Sequence, residues 1–319
     1  MAQIFNPALQ NTLKLPIRRA WVEIKKLDEK AVQEMYYFDK LDGLNIKFSV
    51  TSCGKSFPRA KIGICNLSQD TIDWLINYFQ VPTSQELLNH VIRLYIGYND
   101  IVNCIFEGTV VKTSLTAPPD MWFNFEAIFR YDALIKNISI SLSNEVTIKQ
   151  VYEEVAKALN MSLDWQASSN KKVASFVYDK SANKILDELS RLDSSVGNYI
   201  YGQFSGDNNG VIRCFDIPNE DNNNVELPQW SKEHYISART GMLGVPQFNP
   251  LGCDIDCVLN PDINFLDTIL LDSIYQRKGN GKYKIYQVTH TGESRGNNFK
   301  TNIKASTLYG RNNDSSVKN

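Results

Sequence analysis

Apolar and polar residues alternate through much of the first 133 positions, the period-two mark of half-buried strands. The pattern predicts strands over Ala20–Ile24, Leu44–Thr51, Arg59–Cys65, Val91–Gly97, Cys104–Lys112 and Met121–Phe129. Ile92, Leu94 and Ile96 point one way, Arg93 and Tyr95 the other. In the last segment Met121, Phe123, Phe125 and Ala127 oppose Trp122, Asn124 and Glu126. An aromatic on each face leads us to expect that the outer face of that strand also meets something. One helix interrupts the series: Ser68 can cap it, and Ile72, Leu75, Ile76 and Phe79 follow at helical spacing. Six short strands and one helix predict a barrel-like β domain over residues 1–135.

The period changes after Leu142. Thr147-Ile148-Lys149-Gln150 reads as a capping box, and Ile148, Val151, Tyr152, Val155, Ala156 and Leu159 then form a helical stripe. A short strand is expected over Val173–Tyr178. A second helix should start near Ser181 and bury Ile185, Leu186, Leu189 and Leu192. Asn198–Phe204 and Val211–Ile217 read as a hairpin around Gly206–Gly210. Residues 136–232 therefore predict an α+β module, closing in the polar, acidic loop Asn219–Asn224 before Pro228. Alternation then returns in Tyr235–Ala238, Gly252–Leu259, Thr268–Asp272, Lys282–Thr291 and Phe299–Ser306, a second β-barrel domain over 233–309. Residues 310–319 are polar and expected to be a flexible tail. The predicted class is mainly β, with two small barrels flanking a mixed α+β domain.

Composition narrows the function. The 319 residues hold 34 Lys+Arg and 35 Asp+Glu, a net charge of −1 that argues against a duplex-binding protein, since phosphate affinity rests on clustered cations. No apolar run reaches the ~20 residues of a membrane span, so no membrane insertion is expected. The opening residues lack a basic and an apolar signal region, and the chain is expected to be soluble and to fold in a cytoplasm. Cys253 and Cys257, four apart on a predicted strand, share a face at roughly 13 Å, too far to bond to each other. All six cysteines are expected to be structural thiols.

Catalytic motifs are sparse. The three histidines His90, His234 and His290 form no His-x-x-x-His pair, and no metal or cofactor site is expected. Gly54-Lys55-Ser56 imitates the end of a phosphate loop but runs into Phe57-Pro58 and a strand, where a phosphate loop needs a helix. His290 and Glu293 could look like an acid–base pair, yet a polar turn explains both. Trp74 and Trp165 read as core. Trp122 and Trp230 read as candidate subunit contacts.

Several motifs resemble one family, the baseplate hub proteins of contractile-tailed bacteriophages of the late-control protein D type. At the C-terminal side these are Thr240-Gly241-Met-Leu-Gly244-Val-Pro246, then Asn260-Pro261-Asp262, then His290-Thr-Gly292 with Arg295-Gly296. At the N-terminal side they are Asn66-Leu67, Gly97-Tyr98 and Gly108. Their combined order covers nearly the whole chain in outline. The resemblance implies a non-enzymatic virion component of the tail baseplate, assembled in the host cytoplasm. It implies a homotrimeric ring with pseudo-six-fold symmetry. Its expected partners are the tail tube protein or a tube-initiating ring, the central spike protein and other baseplate proteins, with DNA only in transit. A tail-associated carbohydrate-binding or wall-hydrolysing protein, or another tube adaptor, stands as the alternative.

Overall fold

The computed structural model describes residues 17–26, 35–39, 44–54, 57–80, 90–99, 101–202, 210–217, 228–250 and 252–307. The loop Asn219–Asn224, the turn Gly206–Asn209 and the tail 310–319 lie outside them. The N-terminal β unit contains β1 (Arg18–Lys26), β2 (Met35–Asp39), β3 (Asn45–Cys53), β4 (Arg59–Cys65), α1 (Gln69–Phe79), β5 (His90–Tyr98), β6 (Ile101–Leu115) and β7 (Trp122–Ile128). The middle module follows with α2 (Tyr131–Ile135), β8 (Asn137–Leu142), β9 (Val146–Thr147), α3 (Ile148–Ala158), β10 (Ser162–Gln166), β11 (Lys172–Val173), β12 (Phe176–Ser181), α4 (Ala182–Leu192), β13 (Val196–Tyr201) and β14 (Val211–Asp216). The C-terminal β unit is β15 (Glu233–Ser237), β16 (Met242–Asn249), β17 (Gly252–Val258), β18 (Thr268–Asp272), β19 (Gly281–Glu293) and β20 (Phe299–Thr307). The chain is mainly β with an α+β insert.

Local chemistry explains the helix starts. Ser68 accepts a hydrogen bond from the Thr71 amide at the head of α1. At the head of α3 both halves of the capping box form: the Gln150 amide donates to Thr147 Oγ1, and the Thr147 amide donates to Gln150 Oε1. The stripe Ile148, Val151, Tyr152, Val155 and Ala156 is buried as its spacing requires. The strand expected over Val173–Tyr178 is instead two pieces, β11 and β12. They break at Ala174-Ser175 and pair with different partners, β9 and β8.

The two β units share one ladder. A single hydrogen-bonded path runs β16-β17-β20-β19-β3-β4-β7-β6-β5-β1-β2, with β15 and β18 attached through β19. Length is the cause: β19 spans 13 residues. Its first part, Gly281–Lys284, pairs with β18, while Gln287–Glu293 pairs with β3. The cores stay distinct beneath this shared sheet. One cluster runs from the N-terminal β unit into the middle module and takes in Leu259 and Phe299 of the C-terminal unit, and a second, with Ile236, Ile255, Ile269, Ile285 and Ile303, fills the rest of that unit.

Candidate assembly surface and the joints that hold it

The segment β16-β17-β20-β19-β3-β4-β7-β6 presents two unlike faces. Inward, Ile255, Ile303, Val288, Phe48, Val50, Ile62, Phe123 and Phe125 are buried. Outward, period-two geometry and cross-strand register place Asp254 and Asp256, Asn302 and Lys304, Thr289 and Thr291, Ser49 and Thr51, Arg59 and Lys61, Asn124 and Glu126, and Lys112 and Ser114 in successive rows. All are half-buried or exposed. Ties along this face cross strands: Lys300 reaches Asp256 at 2.6 Å, Asn302 donates to Asp254 and Asp256, and Lys61 lies 3.5 Å from Glu126. Trp122 sits here half-buried, with Lys47 Nζ 4.1 Å from its ring centre. Its strand thus has a core face and a second face that carries polar contacts.

The His290 motif builds the clasp between the two β units. His290, Thr291, Gly292 and Glu293 pair with Val50, Ser49, Phe48 and Lys47. Beyond the strand, Ser294 and Ile46 exchange hydrogen bonds: the Ser294 amide donates to the Ile46 carbonyl, and the Ile46 amide to Ser294 Oγ. Asn45 donates to Glu293 Oε1 at 2.7 Å and accepts from the Arg295 amide. Arg18 donates to the Gly296 carbonyl at 3.0 Å. Gly292 is required by space, because a Cβ there would lie 2.5 Å from Phe48 Cζ and 2.7 Å from Phe299 Cδ2. Phe299 in turn packs edge-on against Phe48 and Tyr98.

His290 and Glu293 are not partnered with each other in this clasp. His290 is buried, with Nδ1 2.9 Å from Thr301 Oγ1, which also accepts the Asn260 amide. Burial pushes its pKa down to about 4, so it is neutral near pH 7. Because the folded value lies below the ordinary 6.5, the unfolded chain binds more protons between those two values. Stability from this residue is complete above pH 6.5 and fades as pH falls toward 4. The full effect is about 3 kcal/mol. Wild type should therefore lose about 2–3 kcal/mol more than His290→Gln between pH 7 and 4.5, as read by urea unfolding. Equal losses would place the acid sensitivity elsewhere.

The other family-motif residues are turns and close approaches. Asn66 has φ 60° and donates to Met121 O, while Leu67 is buried beside it. At Gly97 a Cβ would meet Ile101 O at 1.9 Å, and at Gly108 it would meet Ile128 O at 2.7 Å. Thr240 Oγ1 accepts from the Ser237 amide and donates to Tyr235 O, and Gly241 follows at φ 107°. Gly244, at φ 73°, and the buried Pro246 lie within the irregular stretch of β16. Asn260 Oδ1 accepts the Asp262 amide, and Pro261 and Asp262 help line the cavity described next.

A cavity of about 580 Å³ opens where the two β units and the middle module meet. Val50, Asn103, Tyr201, Arg213, Asp262 and His290 are among its lining residues, and Asp262 is the carboxylate residue among them. A hydrolytic dyad would need a second acid facing it. Beside the cavity, Trp230 lies half-buried in an aromatic joint with Tyr199, Phe215 and Phe265. The Arg213 guanidinium sits 3.8 Å from the Tyr201 ring centre and 4.7 Å from that of Trp230. Lys284 Nζ lies 4.9 Å from the Phe215 ring, and burial lowers its pKa to about 8. This joint fixes the middle module against the C-terminal unit. Nothing local in the sequence marks it, since its members come from four separate stretches.

The thiols of Cys253 and Cys257 are buried on the inward face, as their spacing suggested, and burial raises both pKa values to about 12. Among the described residues, no group of three or more His, Cys, Asp or Glu could hold a metal ion. No helix among them is long and apolar enough to cross a membrane.

A long, polar-faced sheet joins two β units, and the motif residues are spent on its turns and clasps. A family model described as baseplate hub gp41 matches residues 31–305, and the chain belongs to that family, a structural component of the bacteriophage tail. Solved structures share its fold. The Escherichia coli c3393 protein, described as a type VI secretion component with structural similarity to the T4 tail proteins gp27 and gp5, has a TM-score of 0.55 and 11% identity, covering 84% of this chain and 75% of that one. A tail protein from Neisseria meningitidis MC58 gives 0.55 and 7%, covering 90% and 96%. The 43 kDa tail protein of prophage MuSo2 from Shewanella oneidensis gives 0.55 and 10%, covering 90% and 97%. No curated protein matches the sequence.

Proposed function

We propose that three copies of this chain form the baseplate hub ring, joining a hexameric tail tube on one side to a trimeric central spike on the other. The observation that carries the reading is the β19–β3 pairing. It lays β16-β17-β20-β19 and β3-β4-β7-β6 side by side, so each copy contributes two similar four-stranded portions of one sheet. Three copies then repeat the portion six times, which matches a six-fold tube without six subunits. In this reading the 1–135 and 233–309 units are the two ring-forming bodies, and the 136–232 module braces them.

The polar face is the wall that DNA passes in transit. An acidic or neutral wall would hold phosphates least, and Arg59, Lys112 and Lys304 on this side depart from that simple expectation. Lys61 and Lys300, by contrast, are paired to carboxylates, which weakens their pull on phosphate. The role is geometric, with no chemical step.

Light scattering on the purified chain, alone and with tube and spike proteins, tests this. A trimer is expected, either alone or only with its partners. A stable hexamer would favour a tube adaptor instead.

A further inference from the structure

Arg213 is the cation at the joint between the middle module and the C-terminal unit, with a side chain 17% exposed. It is incompletely partnered. Nη1 donates to the Tyr199 hydroxyl at 3.0 Å. Nε is buried and makes no hydrogen bond, although Asp164 Oδ2 lies 3.4 Å away. Nη2 donates to no described residue. Tyr199, 5% exposed, accepts the Arg213 bond and donates none, and burial raises its pKa, so the hydroxyl keeps its proton. The indole Nε1 of Trp230, whose ring centre lies 4.7 Å from the guanidinium, is also buried without an acceptor.

Buried donors without acceptors are rare in folded proteins, and each one needs an explanation. Here they gather round one guanidinium, and what they lack is an anion. Arg213 and Tyr199 both line the 580 Å³ cavity. Lys232 lines it too, and its ammonium forms no ion pair among the described residues. Two lining cations therefore stand against the single carboxylate of Asp262. Val50, Ile263 and Phe265 supply apolar wall. The volume falls within the roughly 300–1,000 Å³ of small-molecule sites, which combine apolar walls with a few placed polar groups.

We propose that this cavity binds a carboxylate carried on an apolar or aromatic body. The carboxylate accepts from Arg213 and from the Tyr199 hydroxyl, Lys232 adds a second positive charge, and the body lies against the apolar wall. A planar carboxylate matches the guanidinium fork, whereas a bare inorganic anion would leave that wall unused. The Tyr201 and Trp230 rings, 3.8 and 4.7 Å from the guanidinium, hold it in place before any ligand arrives. Val50 belongs to the N-terminal unit, Arg213 to the middle module and Phe265 to the C-terminal side, so a ligand there touches all three and stabilises their junction by mass action. The same group is presented by a free organic acid and by the C-terminal end of another polypeptide.

Isothermal titration of the full chain with N-acetyl-phenylalanine should give a dissociation constant in the millimolar range or below. N-acetyl-phenylalaninamide keeps the ring and loses the charge, and it should bind at least tenfold more weakly. Acetate keeps the charge alone and should also be at least tenfold weaker. Tyr199→Phe removes one donor and spares the ring; it should weaken N-acetyl-phenylalanine at least threefold with unchanged circular dichroism, and Arg213→Gln should weaken it at least tenfold. A tripeptide ending in phenylalanine that binds as tightly as the acetylated residue assigns the site to a chain end, and one that binds more weakly assigns it to a free acid. The acid–amide comparison uses the unsubstituted chain, so it decides the matter even if Arg213→Gln fails to fold. Equal affinity for acid and amide, or no binding of any of these carboxylates at millimolar concentration, would overturn the proposal and leave the hub reading standing.

Discussion

Ile255→Asp should leave no soluble folded protein. Ile255 lies at the centre of β17, 1% exposed, between Cys253 and Cys257 on the inward face and opposite Ile303 on β20. Removing it forfeits about 1.5–3 kcal/mol of apolar burial. The carboxylate that replaces it would be set among the apolar side chains of the C-terminal core. An unpaired charge there costs several kcal/mol more, whether it stays ionised or takes up a proton. Together these exceed about 5 kcal/mol, comparable to the whole stability of many domains. Expression should yield insoluble chain, while Ile255→Val should remain soluble. A soluble aspartate variant with unchanged melting would show that this strand's inward face is misassigned. The loss should also propagate, because β17 pairs with β20, β20 with β19, and β19 with β3.

Strands whose two faces differ in chemistry are legible in the sequence. Cys253, Ile255 and Cys257 alternate with acids, and Arg59–Cys65 coincides in extent with β4. The capping box at Thr147 was legible for the same reason, since a cap is a contact between residues three apart. β16 was not. Gly244 and Pro246 fall inside it, where polar residues would be expected between Leu243, Val245 and the rest of the strand, and both residues ordinarily mark turns. β10 carries no such mark, because its parallel partner β14 lies about fifty residues on and each is a short strand.

The joints were hidden more deeply. The β19–β3 pairing links residues some 240 positions apart, and no local period encodes which distant strand completes a long one. The sequence showed a Gly-rich turn at His290–Gly296 and could not show that Asn45, Ile46 and Arg18 would meet it. Trp230 illustrates the same limit. Its own stretch is polar, and its neighbours Tyr199, Phe215 and Phe265 come from the middle module and a later loop. The contact that makes one sheet of two β units is therefore the part of the fold most dependent on tertiary structure.

That dependence makes Gly292→Leu the sharpest probe of the hub geometry. The added Cβ alone would lie 2.5 Å from Phe48 Cζ and 2.7 Å from Phe299 Cδ2, and both rings are buried, at 4% exposure each. Phe299 cannot yield freely, because Tyr98 meets its edge and Arg18 lies 5.3 Å over its face. Overpacking of this kind costs about 1–3 kcal/mol, and a branched side chain that also pushes β19 from β3 takes the total toward about 4 kcal/mol. The strain falls at the seam, since Gly292 pairs with both Phe48 and Phe299, while the C-terminal core uses the other parts of β19 and β20, around Ile285, Val288, Ile303 and Ala305. Hydrogen exchange should show amides of Ser49–Cys53 and Gln287–Glu293 losing protection well before those of β17. If the chain forms the proposed ring, the variant should also fail to trimerise while its two β units remain folded. If seam and core instead lose protection together, β19 and β3 are one cooperative unit with the rest of the sheet, and the two halves of the sheet cannot be loosened separately.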